Sequence, residues 1–217
     1  VVRRYDVPAF IGSFETPAKP MLRRAIRSLH AWKPEVAMTA DDIAKADRFI
    51  EERYIFAVRR DQTPDLRWFL DLAEVAAVRH GAKIVQIDPW NRFEHARANG
   101  GRETETEYVN RALRECAAFA KAFGVHLQIV AHPAKMDQQR KKQPPDLEDV
   151  AGSKHWENIA DQGFAVHRPQ TFDEKTGQRL TEVHLYHRKA RFEDLGYQCR
   201  VELDYDLHRR RYFVPGS

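Results

Sequence analysis

Cysteine is scarce in this 217-residue chain, which holds only Cys116 and Cys199. Two thiols cannot build a disulfide framework, and they lack the paired spacing of a zinc site, so the sequence predicts a reducing, intracellular compartment and two core thiols. Long apolar runs are also lacking. None approaches the roughly 18 to 20 residues that span a bilayer, and residues 1–6 have the wrong charge order for a secretion signal, so no membrane partner is expected. Neither charge sign dominates: 36 Lys plus Arg against 32 Asp plus Glu leave +4, which permits an anionic partner without demanding one. Glycine is limited to ten residues, none followed directly by Lys, so the phosphate-cradling pattern G-x-x-x-x-G-K-[ST] occurs nowhere. What remains, 42% hydrophobic and 31% charged residues, is the composition of one globular domain with a real core.

The apolar segments alternate in period. Residues 7–12 (VPAFIG), 54–58 (YIFAV), 84–88 (IVQID) and 125–131 (VHLQIVA) read as strands. Between them, residues 21–29 and 39–52 carry apolar positions at helical spacing. Thr63-Pro64-Asp65 is a helix start with Thr63 as its expected cap, and Gly81 is the matching stop. Thr104-x-x-Glu107 is a capping box opening a helix that stops at Gly124. Strand and helix in alternation with short connections predict a mostly parallel sheet covered by helices. The last third differs: residues 164–167, 182–189, 199–203 and 212–214 are short strand candidates separated by turn-rich segments, which predicts antiparallel hairpins. Residues 138–145 (QQRKKQPP) are too polar to bury and close on two prolines.

Three polar residues, Glu15, Asp88 and His132, follow expected parallel strands at their carboxyl ends, the edge where open α/β sheets bind ligands. An apolar strand ending in an acid, as in IVQIDPW, suits nucleotide hydrolysis, because a carboxylate at the strand tip can hold magnesium through water beside the phosphates. The same pattern also fits a strand that merely ends at the Asp88-Pro89 turn.

Four stretches, FIGSFETP, IVQIDPWN, LQIVAHPAKM, and AGSKHWENIAD running into LYHRKARF, carry a family resemblance. Through them the chain resembles the RecA-type ATPase domain of ring-shaped, DnaB-like replicative DNA helicases, most closely the phage primase-helicase and Twinkle branch. The resemblance implies an α/β fold with a RecA-like, mostly parallel twisted sheet flanked by helices and carboxy-terminal antiparallel hairpins. It also implies ATP and Mg2+ as cofactors, single-stranded DNA as partner, a homo-oligomeric ring, most commonly a hexamer, and the cytoplasm of a bacterial or phage-infected cell. Glu15 matches the carboxylate that orients the attacking water, Asp88 the acid that holds magnesium, and His132 the polar sensor of the γ-phosphate. Lys189 and Arg191 fall where the family's hairpin presents cations to the nucleotide of the adjacent subunit, a task suited to the planar guanidinium. The loop after Asp88 and the segment from Pro133 to Gly152 match the family's two central-channel loops, and Lys135, Arg140, Lys141 and Lys142 lie in the second, where cations gain affinity for a DNA backbone by counterion release. Gly152, Ser153, Trp156 and Asn158 fit the Gly-Ser turn and polar-aromatic helix start that follow, with Ser153 the DNA contact; Glu157 departs from branches that carry a base there.

In the family the phosphate loop precedes the strand that ends at Glu15. Residues 1–217 therefore read as a partial RecA-like helicase domain that begins after that loop and that hydrolyses ATP poorly by itself. Two rivals remain. A RecA-like DNA-binding or assembly module that has lost its nucleotide site explains the missing loop by decay. A metal-dependent hydrolase would use Asp88, His95 and His132, without a compact ligand motif such as H-E-x-x-H to support it.

Overall fold

The computed structural model describes residues 1–59, 63–93, 103–134, 143–150 and 154–216. After a short helix α1 (Val2–Tyr5), the chain forms β1 (Ala9–Ser13), α2 (Arg23–Ala31), α3 (Ala40–Arg53) and β2 (Tyr54–Ala57). It continues through α4 (Leu66–His80), β3 (Ile84–Asp88), α5 (Glu105–Phe123) and β4 (His126–Ile129). The first four strands make one parallel sheet in the order β2-β1-β3-β4, as the alternating pattern requires. Central β1 and β3 are the most buried, whereas β2 and β4, which end the sheet, are only partly covered.

Local chemistry explains the helix limits. Thr104 accepts from the Glu107 backbone N–H at 3.3 Å while the Glu107 carboxylate accepts from the Thr104 N–H at 2.8 Å, the reciprocal bonds of a capping box. Gly81 (φ 67°) and Gly124 (φ 58°) end α4 and α5 in the left-handed conformation that glycine adopts without strain. The expected Thr63 cap is corrected: the cap lies two residues later, with Asp65 accepting from the Trp68 N–H at 2.9 Å. Asp has the same short acceptor as Thr and also carries charge into the positive end of the helix dipole.

The core lies between the parallel sheet and helices α4 and α5. Phe69, Val85, Ile87 and Val109 are at most 1% exposed. Phe69 collects the rings of Phe10, Phe14 and Phe93 at centroid distances of 5.1, 6.1 and 5.7 Å. Gly12 admits this cluster: a Cβ there would stand 2.5 Å from the Phe69 ring and 2.7 Å from Phe14. On the outside, Asp47 of α3 ties down α2 through Arg23 at 2.9 Å and Arg27 at 2.6 Å, and that pairing, led by Arg27, pulls its carboxyl down to about 2.

After α6 (Lys154–Ile159), strands β5 (Gln162–His167), β6 (Glu182–Ala190), β7 (Cys199–Asp206) and β8 (Arg211–Phe213) form a second, antiparallel sheet in sequence order. The hairpin expectation therefore holds. The two-core-thiol expectation does not. Cys116 is buried on α5, where loss of solvation pushes its thiol up to about 12, but Cys199 opens β7 and is exposed. A free cysteine on a strand with one solvated face carries no sequence mark of which side it takes.

Candidate active site

Parallel register brings the strand ends to one rim. Ser13 pairs with Asp88 and Ile87 with Ile129, so the chain leaves β1, β3 and β4 at one level. Beyond these ends the backbones are stitched together: the Phe14 N–H donates to the Asp88 carbonyl at 2.8 Å, and the Trp90 N–H to that of Val130 at 2.8 Å. The structure thus brings together Glu15, Asp88 and His132, of which the first and last are 117 positions apart in sequence.

Glu15 and His132 touch: His132 Nε2 lies 3.3 Å from Glu15 Oε2. The other carboxylate oxygen, Oε1, accepts from Arg92 Nη2 at 3.4 Å. The hydrogen bond from His132, then that from Arg92, holds the Glu15 carboxyl below its ordinary range, which favours the charged, acceptor form. Asp88 behaves oppositely. Half-buried at the tip of β3, it is pushed up by burial, and Gln86 Nε2 donates to its Oδ2 at 3.3 Å. The two carboxylates of this rim therefore differ in setting: Glu15 is exposed and held in its charged form, and Asp88 is half-buried beside it. Asp88 suits a magnesium ligand because a divalent cation would offset the cost of keeping its charge in a poorly solvated place.

Asn91 and Arg92 belong to this rim although neither was singled out by sequence. They sit in a tight turn at Trp90–Arg92, where Asn91 Oδ1 accepts from the His132 backbone N–H at 2.9 Å. Trp90 seats the turn: it is 2% exposed and packs edge-on against Trp156 at 5.4 Å. Trp156 is accordingly a core residue that anchors α6. In the sequence they fall in the loop after Asp88 that the resemblance assigns to the central channel, and Asn91 closes the stretch IVQIDPWN, but nothing there marks a contact with Glu15 or His132.

Lys189 and Arg191, at the end of β6, turn toward their own chain. Lys189 Nζ donates to the Glu157 carbonyl, and Arg191 Nη2 donates to those of Asn158 at 2.6 Å and Ile159 at 3.0 Å. Arg191 Nε also lies 3.3 Å from Asp161 Oδ1. The two cations thereby satisfy the carbonyl end of α6, which bears partial negative charge. Lys135, Arg140, Lys141, Lys142, Gly152, Ser153 and His95 lie outside the described residues. Among the described residues no group of three or more His, Cys, Asp and Glu side chains is arranged to hold a metal ion. No described helix is long and apolar enough to cross a membrane.

No protein-family model matches the chain. It is 35% identical over 153 residues to the Twinkle homolog protein, chloroplastic/mitochondrial, of Arabidopsis thaliana, a match covering 70% of this chain and 21% of that protein. The chain therefore spans only about a fifth of that relative. Among solved structures, an ATPase domain superposes with a TM-score of 0.78 at 16% identity, over 97% of this chain and 75% of that one. A DnaB-like replicative helicase, solved with attention to its interactions with primase, gives 0.77 at 16% identity over 97% and 52%. At that identity the two structures speak for the fold, and the plant relative adds the sequence likeness. With a parallel sheet flanked by helices and an antiparallel sheet after it, the chain has the RecA-type fold seen in the ATPase domains of DnaB-like helicases, and over 153 residues its sequence is similar to the Twinkle homolog.

Proposed function

We propose that this chain is the motor portion of a replicative DNA helicase, coupling ATP hydrolysis at subunit interfaces to movement along single-stranded DNA and duplex unwinding. The observation that carries the proposal is the single rim on which Glu15 is charged and paired with His132 while Asp88 stands half-buried beside them. In this reading Glu15 accepts the proton of the attacking water, Asp88 holds Mg2+ against the phosphates, and His132 reports the γ-phosphate. Bound magnesium would neutralise charge on the phosphate oxygens. Lys189 and Arg191 serve the nucleotide of the adjacent subunit in a homo-oligomeric ring, a hexamer by the family's habit. For that they must exchange the carbonyls of α6 for phosphate oxygens, a change from neutral to charge-assisted hydrogen bonds. Lys135, Arg140, Lys141, Lys142 and Ser153 are proposed to meet the DNA backbone, and the phosphate loop is proposed to come from sequence preceding residue 1. The proposed setting is the cytoplasm of a bacterial or phage-infected cell; the plant relative is named for chloroplast and mitochondrion.

The absence of G-x-x-x-x-G-K-[ST] from these 217 residues favours one alternative, a RecA-like module that has lost its nucleotide site. Equilibrium binding of a fluorescent ATP analogue to the full-length protein separates the two. The motor reading expects saturable, Mg2+-dependent binding that Asp88→Asn weakens. Folded protein with no detectable binding would leave the module standing.

A further inference from the structure

The segment matched to a DNA-contacting loop starts at the rim, directly after His132, and its two ends are joined. The Ala134 N–H donates to the Asp149 carbonyl at 2.7 Å, and Pro133 bridges to Val150. The returning end is gripped from β6. Arg188 Nε donates to the Pro145 carbonyl at 3.2 Å and Nη2 to that of Pro144 at 3.4 Å, while Nε also lies 3.8 Å from Asp146 Oδ2. The guanidinium is itself held, over the Tyr186 ring at 4.4 Å, and its side chain is 26% exposed. Next along the chain, Leu147 is pressed against β5, where a Cβ on Gly163 would stand 2.5 Å from Leu147 Cδ1. With Lys189 and Arg191 on the carbonyls of α6, β6 ties down the chain both before and after that helix.

We propose that Arg188 is a positioning residue for DNA binding: its fork clamps residues 144–146 to β6 and so sets where Lys135, Arg140, Lys141 and Lys142 meet the DNA backbone. The proposal rests on the reading of those four cations as DNA contacts. Pro144 and Pro145 have φ fixed by their rings, so a grip on their carbonyls orients the chain on either side. Two neighbouring carbonyls suit a planar group that donates from two nitrogens, which the point charge of lysine does not reproduce. Without the clamp, apparent affinity falls by the fraction of molecules that hold the binding-competent placement. That loss is independent of salt. Losing a direct phosphate contact is not, because each contact contributes about 0.7 to the slope of log K against log salt for single strands.

The test is the fluorescence anisotropy of a labelled oligo-dT bound by the full-length protein with Mg2+ and a non-hydrolysable ATP analogue, over a series of salt concentrations. Arg188→Ala is expected to raise Kd about tenfold, the contribution of roughly one hydrogen bond to a charged group, with the salt slope unchanged. Arg188→Lys should fall between Ala and the natural residue. Leu147→Ala, which removes the second hold without touching charge, should also raise Kd at unchanged slope. A parental Kd in Arg188→Ala overturns the clamp, and a slope smaller by about 0.7 overturns it as well, by making Arg188 a phosphate contact itself. The underlying reading is checked apart from Arg188 by the Lys141→Ala/Lys142→Ala pair, whose slope should fall by about 1.4. A parental slope in that pair withdraws the two lysines as DNA contacts, whatever Arg188→Ala does.

Discussion

Glu15→Gln in the full-length protein is expected to lower DNA-stimulated ATP hydrolysis by about 10²- to 10⁴-fold, the usual contribution of a positioned general base. The amide keeps the size of the side chain and one acceptor oxygen, so the contacts to Arg92 and His132 need not collapse. What it loses is the charge that those partners stabilise. Because Glu15 is solvent-exposed, folding should be untouched, with Tm within a few degrees of the parent by the usual behaviour of surface substitutions. ATP binding should survive, since the proposed cradle and magnesium ligand lie elsewhere. A variant that hydrolyses normally would remove Glu15 from the chemistry, whatever its place on the rim.

Phe69→Ala is expected to cost about 3–5 kcal/mol, the range for deleting a fully buried aromatic ring. For a domain of this size that is a fall of about 6–20 °C in Tm. Phe69 has no exposed surface and supports Phe14 and Phe93 from below. Those rings precede Glu15 and follow Arg92 directly in sequence, so the cavity should loosen the catalytic rim as well as the core. Thermal unfolding checks the first effect, and hydrolysis measured well below the new Tm checks the second. Leu72→Ala on the same helix, at a site 37% exposed, is the control and should shift Tm little. Equal shifts in the two variants would mean that Phe69 is not the keystone of this packing.

Much of this arrangement is legible in the sequence. Apolar strands ending in polar residues gave away the parallel sheet and its ligand-binding edge, since in such a sheet all carboxyl ends meet on one side. Thr104-x-x-Glu107 and Gly81 marked helix limits because capping is local chemistry, decided within four residues. Choices that depend on distant partners were not legible. Asp65 caps α4 and also pairs with Arg59 at 2.9 Å, a contact that the Thr63-Pro64-Asp65 pattern by itself does not reveal. The exposure of Cys199 depends on which face of β7 finds cover. Arg92 reads only as a base in the loop after Asp88, matched to the central channel, until folding brings Glu15, 77 positions away, to it. The in-chain engagement of Lys189 and Arg191 likewise required knowing that α6 ends within their reach.

In the proposed motor, Glu15 of one subunit and Arg191 of the next complete a single hydrolytic site. Full-length protein carrying Glu15→Gln and full-length protein carrying Arg191→Ala should each be nearly inactive alone. Mixed in equal amounts and allowed to exchange subunits, they should form about a quarter of their heterologous interfaces with both groups intact. DNA-stimulated ATP hydrolysis of that mixture is the measurement: activity well above either parent is the expected result, and mixed oligomers as inactive as their parents would contradict a shared site.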